Sequence, residues 1–299
     1  VSNLLRAPGL GLAALPDFLT LGLFYALFAY VLLIVIDRCS VSTLATLMLA
    51  GAIFGWATEA LIVPVSHEAP PVSWLWPAVA WHAPIDVIAG WFALRLAMRR
   101  LGAPLLTLVF VFAGVLWAWW STWFLSETAT GEAAGALAAL SAAQFWGFAL
   151  AAGASWIVGM ILADLGATRG FRASRAEVIL VGAVALVFLF FTALPFLPWS
   201  LGLMALITLT FAALARGARF QRGRAGILAP LAVAPARHTY VLAALMPLSA
   251  GLSYSLIAAR DLAMPADLVI PALLLFGLAA YLWSLWRAFT ARADADKPA

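Results

Sequence analysis

The stretch TLATLMLAGAIFGWATEALIVP, from Thr43 to Pro64, carries one charge in its whole length, Glu59. About 20 consecutive apolar residues are what a helix needs to cross a bilayer, and a soluble core helix is shorter. The reading therefore starts from a membrane helix with an acid inside it. Working outward, the pattern recurs along the chain. Apolar runs place spans near 17–37, 43–64, 76–97, 104–125, 141–163, 177–197, 199–215, 239–258 and 267–287. This predicts an all-α, polytopic integral membrane helix bundle of about nine transmembrane helices (8–10), with residues 1–299 forming one membrane domain. The break between the sixth and seventh spans is the least distinct, because Pro195 and Pro198 lie in a very short turn.

Composition agrees. The 299 residues are 66% hydrophobic and 10% charged, with mean hydropathy +1.05. A soluble domain has about 25% charged residues, so a soluble globular protein is excluded. The single cysteine, Cys39, excludes an intrachain disulfide. The net charge of +4 does not point to nucleic acid, because the basic residues fall between spans. Of the 17, all but Arg6 and Arg260 lie in alternate loops or at the C-terminal end; Arg95, Arg99, Arg100, Arg172 and Arg216 are examples. Cytoplasmic loops hold the excess of basic residues in membrane proteins. The N-terminus is expected outside and the C-terminus in the cytoplasm of a bacterial cytoplasmic membrane. Glu68, Glu127, Glu132, Asp261 and Asp267 then face outward. The first apolar run lacks the adjoining basic segment and small-residue cleavage site of a signal peptide.

Ionisable groups inside a bilayer cost about 2.5–3.5 kcal/mol each on insertion scales and mark functional sites by default. Two acids lie well inside expected spans, Glu59 and Asp86, and His82 is one turn from Asp86. Gly51, Gly55 and Glu59 share one helix face; His82, Asp86 and Gly90 share another. A hairpin with its midpoint near residue 70 sets Glu59 opposite His82, Gly55 opposite Asp86 and Gly51 opposite Gly90. Small residues there allow close backbone approach. Pro84 is expected to weaken the helix ladder and free the Ala80 carbonyl. His67 and Glu68 sit on the loop above. Interhelical glue is the plain alternative for such a cluster.

Trp117 and Trp120 crowd the outer half of the fourth span with Trp119 and Trp123. They read either as the interfacial tryptophan belt or as the wall of a pocket for a small apolar or cationic ligand. Gly147, Ala151, Ser155 and Gly159 recur at four-residue spacing as a helix-packing stripe. No His-Glu-x-x-His or Walker-type motif is present, and no internal repeat is visible. No metal site is expected, the cofactor is undetermined and no motif identifies a family.

The ligand- or proton-binding set is thus Glu59, His82, Asp86, His67, Glu68, Trp117 and Trp120. The leading functional expectation is a small-molecule or proton-coupled permease in the lipid bilayer. The alternatives are a membrane-embedded enzyme acting on a lipid or isoprenoid, and a non-catalytic accessory or assembly subunit of a membrane complex.

Overall fold

The computed structural model describes residues 15–61, 65–123, 141–167, 170–221, 223–260 and 262–291, which are helical with no strand among them. Arg6, Pro64, Glu127, Glu132, Arg169, Arg222, Asp261, Arg292 and Lys297 lie outside the described residues. In order, the elements are α1 (Leu15–Arg38), α2 (Leu44–Ala60), α3 (Val65–Glu68), α4 (Val72–Leu75), a π-helix (Ala78–Ala93), α5 (Leu94–Arg100), α6 (Ala103–Ser121), α7 (Ala142–Ala167), α8 (Arg175–Ala193), α9 (Ser200–Gln221), α10 (Arg237–Ala243), α11 (Leu245–Ala259) and α12 (Ala266–Thr290).

Among the described residues, six segments are long and apolar enough to cross a membrane: Ala103–Ser121, Ala142–Gly166, Arg175–Phe196, Ser200–Gln221, Arg237–Ala259 and Ala266–Thr290. Their surfaces fit that solvent. Leu108 and Phe112 on α6, Leu180 and Phe191 on α8, and Leu275 on α12 are exposed. Rows of exposed large apolar side chains are unfavourable in water and ordinary against lipid. The chain is accordingly read as a multi-pass membrane protein. α2 is apolar but spans only 17 residues, about 25 Å at 1.5 Å per residue and short of a hydrocarbon core of about 30 Å. The nine-span count is not carried by these six.

Local sequence sets the helix ends. Thr43 and Thr46 form a reciprocal capping box at the start of α2, and Ser174 and Glu177 do the same at α8. Pro195 and Pro198 end α8 in a single 3-10 turn, Leu194–Phe196, before α9 begins at Ser200.

The chain divides into two compact units. One comprises Val1–Leu21, Arg95–Arg169 and Leu231–Ile270. Its core joins Ala118 of α6, Phe145 and Ala149 of α7, and Ala250 and Tyr254 of α11. Close approach is made by glycines: a Cβ on Gly153 would meet the Pro247 ring at 2.6 Å, and one on Gly251 would meet the Trp146 indole. The buried face of α7 carries Phe145, Ala149, Gly153, Met160 and Asp164. The expected stripe is a different face: a Cβ at Gly147 or Gly159 would meet nothing within 4 Å. Small size alone does not make a packing face; the large residues beside it decide.

The second unit comprises Gly22–Leu94, Gly170–Pro230 and Pro271–Ala299. α2 is its centre, buried on nearly every side, as expected of a helix apolar all round. The π-helix, α8, α9 and α12 contribute its surroundings. Trp56 donates its indole N–H to the Trp74 carbonyl at 2.7 Å and meets Tyr281 edge-on, while Tyr281 and Thr210 share a hydrogen bond of 2.6 Å.

Candidate functional site: an imidazole between two carboxylates

The site lies in the second unit. His82 Nε2 is 2.8 Å from Glu59 Oε1, and His82 Nδ1 is 2.6 Å from Asp86 Oδ2. Phe54 packs edge-on against the imidazole at 6.0 Å. The structure thus brings together the three residues that spacing on two helices points to.

The register differs from the expected one. A Cβ on Gly55 would meet the Ala78 Cα at 2.7 Å, and one on Gly51 the Ala83 Cα at 2.9 Å. Ala78 and Ala83 therefore stand where Asp86 and Gly90 were expected. Glu59 and His82 still meet, because side chains on a helix lean toward its N-terminus. On antiparallel neighbours the two lean toward each other and span the offset.

The offset arises before Ala78, in the connection that carries α3 and α4, because it is already present at the first residue of the second helix. From Ala78 to Ala93 that helix is a π-helix with Pro84 inside it. His82 N–H donates to the Pro77 carbonyl and Leu94 N–H to the Ala89 carbonyl, each five residues back. With that pairing, the acceptor left free by Pro84 is the Val79 carbonyl and not Ala80, as α-helical pairing would have it. Gly277 of α12 comes against this point; a Cβ there would lie 3.0 Å from the Val79 oxygen. π-Winding occurs mostly as single turns and often at functional sites.

Side-chain exposure decides how the cluster can be reached. It is 8% for His82 and 15% for Glu59 but 40% for Asp86. Asp86 is the open member.

The proton count follows from the contacts. A neutral imidazole has one N–H. If both carboxylates were ionised around it, one of the two contacts would set a nitrogen lone pair against an anion. Both contacts are hydrogen bonds when the cluster holds one further proton, on the ring or on a carboxyl. Either arrangement leaves a net charge of −1. The same geometry is poor for a metal, since the carboxylates flank opposite edges of one ring instead of facing a common centre. Among the described residues, no group of three or more His, Cys, Asp or Glu side chains is arranged to hold a metal ion.

The other expected site residues lie apart from this hydrogen-bonded set. His67 is buried and stacked on Phe196 at 5.6 Å, 15° from parallel. Its ring nitrogens have no hydrogen-bond partner of good geometry among the described residues. Burial holds its pKa below the ordinary imidazole value, and the nearby Ala60 carbonyl acts weakly in the opposite sense. Glu68 is exposed. Trp117 and Trp120 belong to the other unit. There Trp117 packs edge-on against Phe145 and Phe148, and Trp120 lies 6.0 Å from Trp123.

One polar cluster was not anticipated. In the first unit, Asp164 is buried between two guanidinium groups and a phenol. Arg95 Nε donates to Oδ1 at 3.2 Å, Arg99 Nη2 to Oδ1 at 2.6 Å and Tyr240 O–H to Oδ2 at 2.7 Å. Arg99 also donates to the carbonyls of Arg95, Leu231 and Val233. Asp164 falls one residue beyond the expected end of the fifth span, and its arginines read as topology-setting loop charges. The available signal was an acid at the same membrane edge as an arginine-rich loop. Every described group here has a partner, so the cluster reads as a structural anchor.

No protein-family model, curated protein or solved structure gives a significant match to the chain.

Proposed function

We propose that this membrane protein is a proton-coupled permease for a small molecule, with Glu59, His82 and Asp86 as its proton-binding site. The observation that carries the reading is the pair of carboxylate contacts on one imidazole. Loss of the shared proton breaks one of the two contacts, the one to Glu59 across to α2 or the one to Asp86 within the π-helix. Where it is the contact to Glu59, titration is tied to a change between packed helices, which is what coupling requires. The exposed Asp86 is the natural point of exchange.

The enzyme and accessory-subunit readings have less support. Both nitrogens of His82 contact carboxylates of this chain, which leaves a catalytic role to the more exposed Asp86. The proposal includes nine crossings, an external N-terminus, an outward-facing site and a bacterial cytoplasmic membrane, all supported by the alternation of arginine-rich loops. It includes a small apolar or cationic ligand, supported by the net negative charge of the singly protonated cluster.

The test is proton movement in proteoliposomes loaded with a pH-sensitive dye. Lipophilic cations such as tetraphenylphosphonium, and small neutral amines, are supplied from outside under an imposed pH gradient. Substrate-dependent alkalinisation in the wild type that disappears in Glu59→Gln supports the reading. A wild type that moves no protons with any probe, or a Glu59→Gln variant that moves them equally well, overturns it.

A further inference from the structure

A second feature of the same unit lies on the other side of α2. α1, α2, α8 and α9 enclose an apolar groove of about 340 Å³. Its walls include Val35 of α1, Ile53 and Trp56 of α2, Gly182 and Leu186 of α8, and Phe211 of α9. Glu59 lies roughly 130° around α2 from the groove face at 3.6 residues per turn, so the groove and the proton site are separate.

Three observations identify its occupant. The first is length. Along α8 the lining runs from Val178 to Leu189, about 16 Å at 1.5 Å per residue. One leaflet of hydrocarbon is about 15 Å deep, half of a core of about 30 Å. The second is shape and polarity. Except for Arg38 and Cys39 the lining is apolar, and a Cβ added to Gly182 would meet nothing within 4 Å. The space in front of Gly182 is long, open and without a polar partner for a solute, which suits a hydrocarbon chain.

The third is charge at one end. Arg38 and Cys39 line the groove where α1 ends, beside the start of α8. Arg38 donates to the Ala173 carbonyl and lies 3.8 Å from Asp37, yet its side chain is 40% exposed. A guanidinium has five N–H donors, and those two contacts do not use them all. Arg172 and Arg175 are exposed on the same short stretch. Against Asp37 and Glu177, the three arginines leave this end with a net charge of +1. Glu177 is itself held by Tyr30 and Ser174.

We propose that this groove holds an acyl chain of one anionic phospholipid, with its phosphate held by Arg38 at the mouth. An apolar chain takes the place of lipid that the four helices cannot close over, and a charge-assisted contact selects the head group.

The experiment places the full-length protein in nanodiscs of phosphatidylcholine doped with phosphatidylglycerol that carries a mid-chain diazirine. After irradiation, peptide mass spectrometry locates the adducts. A parallel sample carries the diazirine on phosphatidylcholine. The expected result is adducts concentrated around Ile53–Leu61 and Val178–Leu189, several-fold more with phosphatidylglycerol than with phosphatidylcholine. Gly182→Trp fills the groove and lowers these adducts several-fold, whereas Gly182→Ala leaves them in place. Arg38→Gln lowers phosphatidylglycerol labelling to the phosphatidylcholine level. Where Gly182→Trp does not elute as a folded protein, Ala185→Leu narrows the same space.

Adducts spread evenly over the exposed faces of α6, α8 and α12, and indifferent to Gly182→Trp, overturn the proposal. Equal groove labelling by the two lipids also overturns it. Protection of the groove peptides in a dimer, with no lipid adduct, does so in favour of a second copy of the chain. Glu59→Gln is expected to leave the labelling unchanged, so failure of the proton-site reading does not affect this result.

Discussion

His82 Nε2 reaches Glu59 Oε1 at 2.8 Å from a neighbouring helix whose backbone comes against α2 elsewhere, where Gly55 meets Ala78 and Gly51 meets Ala83. The contact depends on two long side chains leaning toward each other, while glycine–alanine contacts hold the backbones together. Side-chain chemistry and helix packing can therefore be perturbed separately.

Removing the imidazole should cost more than neutralising one acid. In His82→Ala both carboxylates lose their partner, and breaking a buried ion pair costs about 3–5 kcal/mol. The exposure of Asp86 moves the expectation to about 3 kcal/mol. Glu59→Gln keeps a hydrogen-bonding group and should cost about 1 kcal/mol. Unfolding in mixed micelles titrated with dodecyl sulfate measures both. Equal losses would show that the cluster is not held together through His82.

The glycine seam makes a contrast within one protein. Gly55→Ala places a methyl against Ala78 backbone, which cannot retreat as a side chain could. Overpacking of this kind costs about 1–3 kcal/mol. Gly159→Ala on α7 meets nothing and should change stability by less than about 0.5 kcal/mol. The same micelle assay decides; a neutral Gly55→Ala would mean that the two helices are not in contact there.

Among the described residues, Asp164 is the one carboxylate shared by the Arg95 and Arg99 guanidinium groups. Asp164→Asn leaves Arg95 and Arg99 without a counter-charge and is expected to destabilise by about 3–5 kcal/mol. Tyr240→Phe removes one hydrogen bond and should cost about 1 kcal/mol. A double-mutant cycle of Asp164→Asn with Arg99→Gln should show strong coupling. Additive effects would contradict the network.

His67 should make stability depend on pH. Its pKa in the folded protein is lowered by burial, so the unfolded chain takes up a proton first as pH falls. The stability it supports is therefore present above the unfolded value of about 6.5 and is lost below it. The slope is at most about 1.4 kcal/mol per pH unit for one proton. His67→Phe preserves stacking on Phe196 without a titrating group. Between pH 7 and pH 5 the wild type should lose stability faster than this variant; parallel curves would sink the idea.

The membrane character of the chain and the three members of the His82 cluster were legible because both rest on short-range rules. Hydropathy over some 20 residues defines a lipid-facing or buried helix, and residues four apart share a face in α- and π-helices alike. Glu59, His82 and Asp86 are rare ionisable groups on such faces, so composition alone singles them out. Asp164 is also an acid in a helix, but the expected span ended one residue too soon.

The rest required three dimensions. Winding depends on which carbonyl each N–H finds, and the Val79 carbonyl that Pro84 leaves free lies against Gly277, far away in sequence. The register of α2 against the π-helix is set in the connection that carries α3 and α4, since Ala78, where the π-helix begins, already stands against Gly55. The face of α7 that packs is chosen by Pro247 and the aromatic rings around Tyr254, not by its own small residues. The groove beside Arg38 exists because four separate segments leave a space none of them encodes. Local sequence determined which residues could act; long-range packing decided which of them meet.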